Sequence, residues 1–344
     1  GRYSDVFRDR YLYPMAAAVW SMPPKEMDEF PARTLIRFFE NHGMLGINTH
    51  PKWRVIRGGS HSYLAPLTKP FASRIRLGAE IQEYVPAFPR KAWPVSLRQL
   101  MGHVAGVRHY RDTEWGDKPT VHCDRAADGL RLFATDPLQF EPETAYQYST
   151  YGWVLVSAAV EAVASEPFAD VMRARVFAPL GMRDTTSESD PAPIPNRVTS
   201  YFRGNLGREV TTDVDYSCFA GGGAFLSTPS DLVRFGLAID NGTFLKPDTV
   251  RLLQTPQLLK SGDHTGYGLG WMLDTVTLAG QPTPLVSHAS RTIEGASTSF
   301  LTFPERGLVV AVSSNMSFAD MKTVAMGIAE IFAKRGSAPG RPGA

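Results

Sequence analysis

Apolar and polar positions change period along this chain, and the changes mark out its elements. Phe30-Pro31 opens a run in which Leu35, Phe38, Phe39 and His42 share one helical face, with Pro31 in a tolerated first-turn position and Gly43 as the stop. Trp53-Arg54-Val55-Ile56-Arg57 alternates like a strand and breaks at Gly58-Gly59. Ser60 is then placed to cap a short segment limited by Pro66 and Pro70. From about Gln82 onward, helices and strands follow one another with no internal repeat and no linker long enough to separate a pair of folding units.

Helix starts are strongly marked in the middle of the chain. Ser96-Leu97-Arg98-Gln99 has the form of a capping box before Leu100, Met101 and Val104, with Gly106 expected to end that helix. Trp153 to Ala164 reads as a buried helix, Phe168 to Val176 as the next, closed by Gly181, and Thr228-Pro229-Ser230-Asp231 as a further start. The last third takes a period of two: Trp271 to Leu278, Leu285 to Ser290, Ser297 to Phe303 and Leu308 to Val312 read as strands. Pro304-Glu305-Arg306-Gly307 forms a hairpin turn between the last two. Ser317-Phe318-Ala319-Asp320 is expected to cap a final helix whose Phe318, Met321, Val324, Ile328 and Ile331 pack on the sheet, with Gly336 as its end and 337–344 as a loose tail.

Composition excludes more than it suggests. The 344 residues carry 36 basic and 34 acidic side chains, a formal charge of +2, and no basic stripe interleaved with aromatics, so no nucleic-acid partner is expected. The longest apolar stretches are too short for a membrane span. Gly1-Arg2-Tyr3-Ser4-Asp5 lacks the basic-then-apolar order of a signal peptide, which leaves the compartment open with a lean to the cytoplasm. Cys123 and Cys218, far apart, are expected to be plain thiols, with no metal-site spacing around them.

Read in order, Leu97 to Gly106, Tyr148-Ser149-Thr150-Tyr151-Gly152, Pro179-Leu180-Gly181-Met182, Gly221-Gly222-Gly223 with Ser227 to Leu232, Tyr267-Gly268-Leu269-Gly270-Trp271 and His288-Ala289-Ser290 resemble the serine β-lactamase and penicillin-binding-protein superfamily. The likeness is greatest to class C β-lactamases and family VIII carboxylesterases. The resemblance implies an α+β fold of the β-lactamase/transpeptidase type, an antiparallel sheet flanked by helices plus an all-α portion, over about 82–336. It implies catalysis through an acyl-enzyme on a small-molecule ester or β-lactam. By position it makes Tyr148 the acid/base, His288 the strand residue facing the cleft, and Arg291 the residue whose backbone N–H serves the oxyanion, with Thr150 and Ser290 as substrate contacts. Thr150 stands where asparagine is usual and Ser290 where glycine is usual.

The nucleophile departs from that pattern. Pro66-Leu67-Thr68-Lys69 has proline where the family's serine belongs, leaving Lys69 as a candidate catalytic amine without its serine. Ser73 is followed by Arg76, which stays protonated and cannot act as base, and Ser60 has no lysine one turn on. The segments Tyr11 to Ser21, Phe38 to Gly43 and Trp53 to Ser60 resemble the interior of an FAD-dependent amine-oxidase-like protein, as if residues 1–81 were joined to the β-lactamase-like part between about Thr68 and Gln82. The flavin fingerprint Gly-x-Gly-x-x-Gly is absent, and no cofactor is expected. His103 and His109 read as a helix end and a loop. The chemistry expected is ester cleavage, and the alternative is an inactive relic or ligand-binding module.

Overall fold

The computed structural model describes residues 79–111, 114, 122–188, 193–204, 207–211, 215–291, 295–316 and 319–336. The chain divides into two compact units, Gly1–Arg76 and Leu77–Ala344. All described residues fall in the second. Ser60, Lys69 and Ser73, the strand expected at Trp53 to Arg57 and the amine-oxidase-like segments lie outside the described residues, as do Ser317 and Phe318.

Helix α1, Leu97–Met101, begins as its sequence predicts: Ser96 Oγ accepts the Gln99 amide while Gln99 Oε1 accepts the Ser96 amide. It ends earlier than expected, at Gly102 rather than Gly106, because His103 turns into the left-handed region at φ +59°. Helix α2, Thr150–Ala164, starts at Ser149, whose Oγ accepts the Gly152 amide at 2.9 Å. Apolar on nearly every side, α2 is buried on nearly every side. Tyr151, Val154 and Leu155 pack with Ile81, Phe88, Leu130 and Phe133 in one core cluster, where each such side chain contributes roughly 1.5–3 kcal/mol. Helix α3, Phe168–Met172, runs into a π-helical turn, Arg173–Phe177, and Gly181 at φ +66° ends the run.

Two small antiparallel pairs follow, β1 (Thr186–Ser187) with β4 (Phe225–Leu226) and β2 (Tyr201–Gly204) with β3 (Gly207–Val210). Between them lies the short helical turn α4, Ala220–Gly223. Helix α5, Pro229–Asp240, is capped by Thr228, whose Oγ1 accepts the Asp231 amide at 3.3 Å, and α6, Pro247–Leu253, follows.

The main sheet is antiparallel in the order β5 (Met272–Leu278), β6 (Gln281–Arg291), β7 (Ser297–Phe303) and β8 (Leu308–Ser314). Its register sets Val286 opposite Thr302, His288 opposite Phe300, and Phe300 opposite Ala311. Since side chains alternate between faces, Val286 and Phe300 meet Trp271, Phe235 and Ile239, the last two on α5. On the other face Leu285, Leu301, Phe303 and Val310 meet α7, Met321–Gly336.

Two further expectations drawn from the sequence do not hold. Helix α7 packs through Ala325, Ala329 and Ala333, whereas Val324 and Ile331 are 45% and 54% exposed; small side chains let the helix backbone approach the sheet, and the bulkier residues are displaced outward. Cys123 and Cys218 are not plain thiols but a disulfide, with Cα atoms 4.9 Å apart. The bridge ties the segment before the Ala126–Leu132 turn to the Ser217–Phe219 turn just ahead of α4, and Ser217 Oγ accepts the Cys123 amide at 2.8 Å beside it. No helix among the described residues is long and apolar enough to cross a membrane.

Candidate active site

The strand carrying His288 and the turn carrying Tyr148 meet, with their ring centroids 6.2 Å apart. Tyr148 lies directly before the Ser149 cap of α2. The helix start therefore fixes the Tyr148 backbone, and its phenol makes no hydrogen bond to a described residue. Burial, with Tyr146 and Tyr110 nearby, pushes the phenol up to about 12. At neutral pH it is a proton donor rather than a base.

His288 sits near the end of β6. Its Nδ1 faces the Ala289 carbonyl at 3.1 Å, and a carbonyl can only accept, so Nδ1 carries the proton. Nε2 then accepts from the Tyr267 hydroxyl at 3.3 Å. Burial pushes the His288 imidazolium below its ordinary range, against the contrary pull of the Ala289 carbonyl. Tyr267, 1% exposed, is held in place by the Tyr-Gly-Leu-Gly-Trp turn, where the Gly268 amide donates to the Trp271 carbonyl at 2.8 Å.

Sequence reasoning set His103 and His109 aside, yet both belong to this cluster. His103, 2% exposed, lies 4.1 Å from the Tyr148 ring and 4.7 Å, edge on, from the Tyr267 ring. His109 lies 5.8 Å from Tyr148. A histidine between Gly102 and Gly106 marks a polar ring in a tight turn, but nothing in the sequence shows which backbone amide it accepts from.

The other expected contacts are placed as follows. Thr150 is buried at the first position of α2, and Gly222 of α4 passes so close that a Cβ there would stand 2.4 Å from Thr150 Cγ2. The Gly221-Gly222-Gly223 run is thus a close backbone approach beside the site. Ser290 is exposed on the same face of β6 as His288, opposite Thr298, whose Oγ1 is 3.1 Å from Ser313 Oγ. Arg291 closes β6 opposite Ser297. Arg108, beneath the site, is 5% exposed, binds Glu114 and Asp136, and lies over the Tyr151 ring at 4.9 Å. Among the described residues no group of His, Cys, Asp and Glu is arranged to hold a metal ion.

The described lysines with hydrogen bonds are engaged away from this cluster. Lys91 donates to the Ala134 and Asp136 carbonyls, Lys260 to Glu141, and Lys334 pairs with Glu330. Ser149 is committed to its cap and to the Arg108 carbonyl at 2.7 Å.

Comparison with known proteins bears on the same region. The β-lactamase family model matches residues 72–332, a span that begins after Lys69. The serine beta-lactamase-like protein LACTB, mitochondrial, of Bos taurus is 27% identical over 370 aligned residues, covering 76% of this chain and 66% of its own length. Penicillin-binding protein 4* of Bacillus subtilis (strain 168) is 26% identical over 273 residues, covering 72% and 59%. The chain therefore spans less than two thirds of the length of these relatives. Among solved structures, a D-stereospecific amidohydrolase from Streptomyces sp. superposes with a TM-score of 0.64 at 19% identity, covering 77% of this chain and 82% of that one. D-amino acid amidase from Ochrobactrum anthropi SV3 gives 0.59 at 21% identity, covering 79% and 80%. With the α+β architecture and the family match both in hand, the chain belongs to the β-lactamase family and carries its hydrolase fold.

Proposed function

We propose that this protein hydrolyses small carboxylic esters through an acyl-enzyme, with Tyr148 giving its phenolic proton to the leaving alkoxide. β-Lactams are the other substrate class the site could take. The observation that carries this reading is the Tyr148 phenol, without a hydrogen-bond partner among the described residues, standing 6.2 Å, ring to ring, from His288. A donor whose pKa lies near 12 suits an alkoxide, which is more basic than the phenolate left behind. In the acylation step the nucleophile oxygen bonds to the acyl carbon, the carbon–oxygen bond to the leaving group breaks, the leaving oxygen takes the Tyr148 proton, and the proton shed by the nucleophile hydroxyl restores the Tyr148 phenol; water then attacks the acyl carbon, the acid leaves, and a proton of that water returns to the nucleophile oxygen. Amides compete with esters as the bond cleaved, because an amidohydrolase and an amidase share the fold.

A second reading, a ligand-binding relic, is favoured by the engagement of Lys91, Lys260, Lys334 and Ser149 in structural bonds. Intact-mass spectrometry after a fluorophosphonate separates the two. A single adduct together with turnover of short-chain esters supports the hydrolase. Neither adduct nor turnover in pure protein, with an ester analogue still binding, rejects it in favour of the relic. The disulfide argues for an oxidising compartment rather than the cytoplasm the sequence leaned to, since such bonds are rare where thiols are kept reduced.

A further inference from the structure

Two successive backbone amides just after Tyr148 end on imidazoles. The Ser149 N–H donates to His103 Nδ1 at 3.0 Å, and the Thr150 N–H donates to His109 Nδ1 at 3.1 Å. A ring nitrogen that accepts carries no proton, so each neutral ring holds its proton on Nε2. These amides belong to the start of α2, where N–H groups have no partner within the helix. Ser149 Oγ serves a third, that of Gly152. Hydroxyls and carboxylates usually serve these positions; here, two rings from a preceding loop do so, and both also face the Tyr148 ring.

The choice of histidine at position 103 has a cost. Its φ of +59° is a left-handed conformation that asparagine or glycine adopts with less strain, and its Nε2 is buried with no hydrogen-bond partner among the described residues. An aspartate would cap the helix better through the dipole but would put a negative charge beside the phenol. An imidazole supplies an acceptor without a charge. Burial pushes His103 down to about 3, with His288 and His109 adding to the effect, and burial likewise lowers His109 despite Glu114.

We propose that His103 and His109 are positioning residues for Tyr148, a pair of uncharged acceptors that clamp the backbone of Ser149 and Thr150 and so aim the phenol toward His288. The inference rests on the reading of Tyr148 as the proton donor. Neither histidine is required to touch substrate; each acts through the turn that carries Tyr148.

The experiment compares His103→Leu and His109→Leu, which remove the acceptor, with His103→Asn and His109→Asn, whose Oδ1 stands close to the place of Nδ1 and whose backbone tolerates positive φ. Turnover of an alkyl ester is expected to fall about 10–100-fold in kcat in each Leu variant, with KM within about twofold, and to recover at least in part in each Asn variant. Leu variants that fold and keep wild-type kcat overturn the clamp, as does a loss that neither Asn variant recovers. A second readout stands apart from activity. In protein with ring-labelled tyrosine, the resonance assigned through Tyr148→Phe should move in the Leu variants and return in the Asn variants, and an unmoved resonance also overturns the clamp. Inactive wild type, or Tyr148→Phe with wild-type turnover, defeats the proton-donor reading instead, while the resonance still judges the clamp.

Discussion

The hydroxyl of Tyr267 reaches Nε2 of His288 across 3.3 Å, and the opposite nitrogen of that ring is fixed by the Ala289 carbonyl. The imidazole is thus held neutral in one tautomer by two bonds, half-buried in the cluster. The Tyr267 bond favours the unprotonated ring, so Tyr267→Phe should raise the His288 pKa, which burial holds below the ordinary range. The acid limb of kcat/KM is expected to move to higher pH by about 0.5–1, the equivalent of one hydrogen bond of roughly 1 kcal/mol. A pH–rate profile with an unmoved acid limb would show that His288 has no part in the step being measured.

Tyr148→Phe offers a sharper test than loss of activity alone. A p-nitrophenolate departs without a proton, whereas a simple alkoxide needs one. Removing a general acid should lower turnover of an alkyl ester by roughly 100-fold or more while lowering that of the matching p-nitrophenyl ester by less than about tenfold. Equal losses on the two substrates would mean that the phenol shapes the cleft rather than delivering a proton.

The regions of this molecule that were legible in the sequence are those whose pairing is local or periodic. Ser297 to Phe303 is rich in threonine and aromatic residues that favour strands, and Pro304 to Gly307 turns it into Leu308, so β7 and β8 were readable to the residue at most ends. The caps at Ser96 and Thr228 are short-range hydrogen bonds, with their donors three residues on, whereas the Ser149 cap lies ahead of the Trp153 start that the sequence suggested. What escaped was tertiary. Val324 and Ile331 have the apolar spacing of a core face, but so does Ala325-Ala329-Ala333, and only the close approach of α7 to the sheet decides between them. His103 and His109 bind main-chain amides, and an amide has no residue identity for a sequence pattern to show. The fold and the meeting of Tyr148 with His288 could be expected from residue types in order, whereas the histidines between them could not.

The disulfide was equally hidden, since 95 positions separate its cysteines and nothing local pairs them. It closes a long loop that contains α2 and the turn of Tyr148, so removing it returns a large conformational freedom to the unfolded chain. A Cys123→Ser, Cys218→Ser double variant should lose about 2–5 kcal/mol, lowering Tm by roughly 5–15 °C. Wild type in reductant should approach the variant's melting temperature, while the variant itself should be indifferent to reductant. A wild-type protein that titrates two free thiols under non-reducing conditions, with the variant's stability, would refute the bridge.

Asp240 gives a prediction of opposite character, because here the fold disfavours a charge. It is the last residue of α5, where the partial negative end of the helix already repels an anion, and both carboxylate oxygens are buried without a hydrogen-bond partner among the described residues. Burial pushes the carboxyl up to about 6. The folded state then holds this proton more tightly than the unfolded chain, whose aspartates titrate near about 3.9, so between those values the folded protein binds more protons. The contribution is fully present below the unfolded pKa and is lost as pH rises through the folded one. Asp240→Asn, uncharged throughout, should therefore be the more stable protein at pH 7 and lose the decline that wild type shows from about pH 4 to pH 6. Thermal melts of the two proteins at half-unit pH steps decide it: parallel curves across that window, or a less stable asparagine variant at pH 7, would mean that the carboxylate is satisfied in solution.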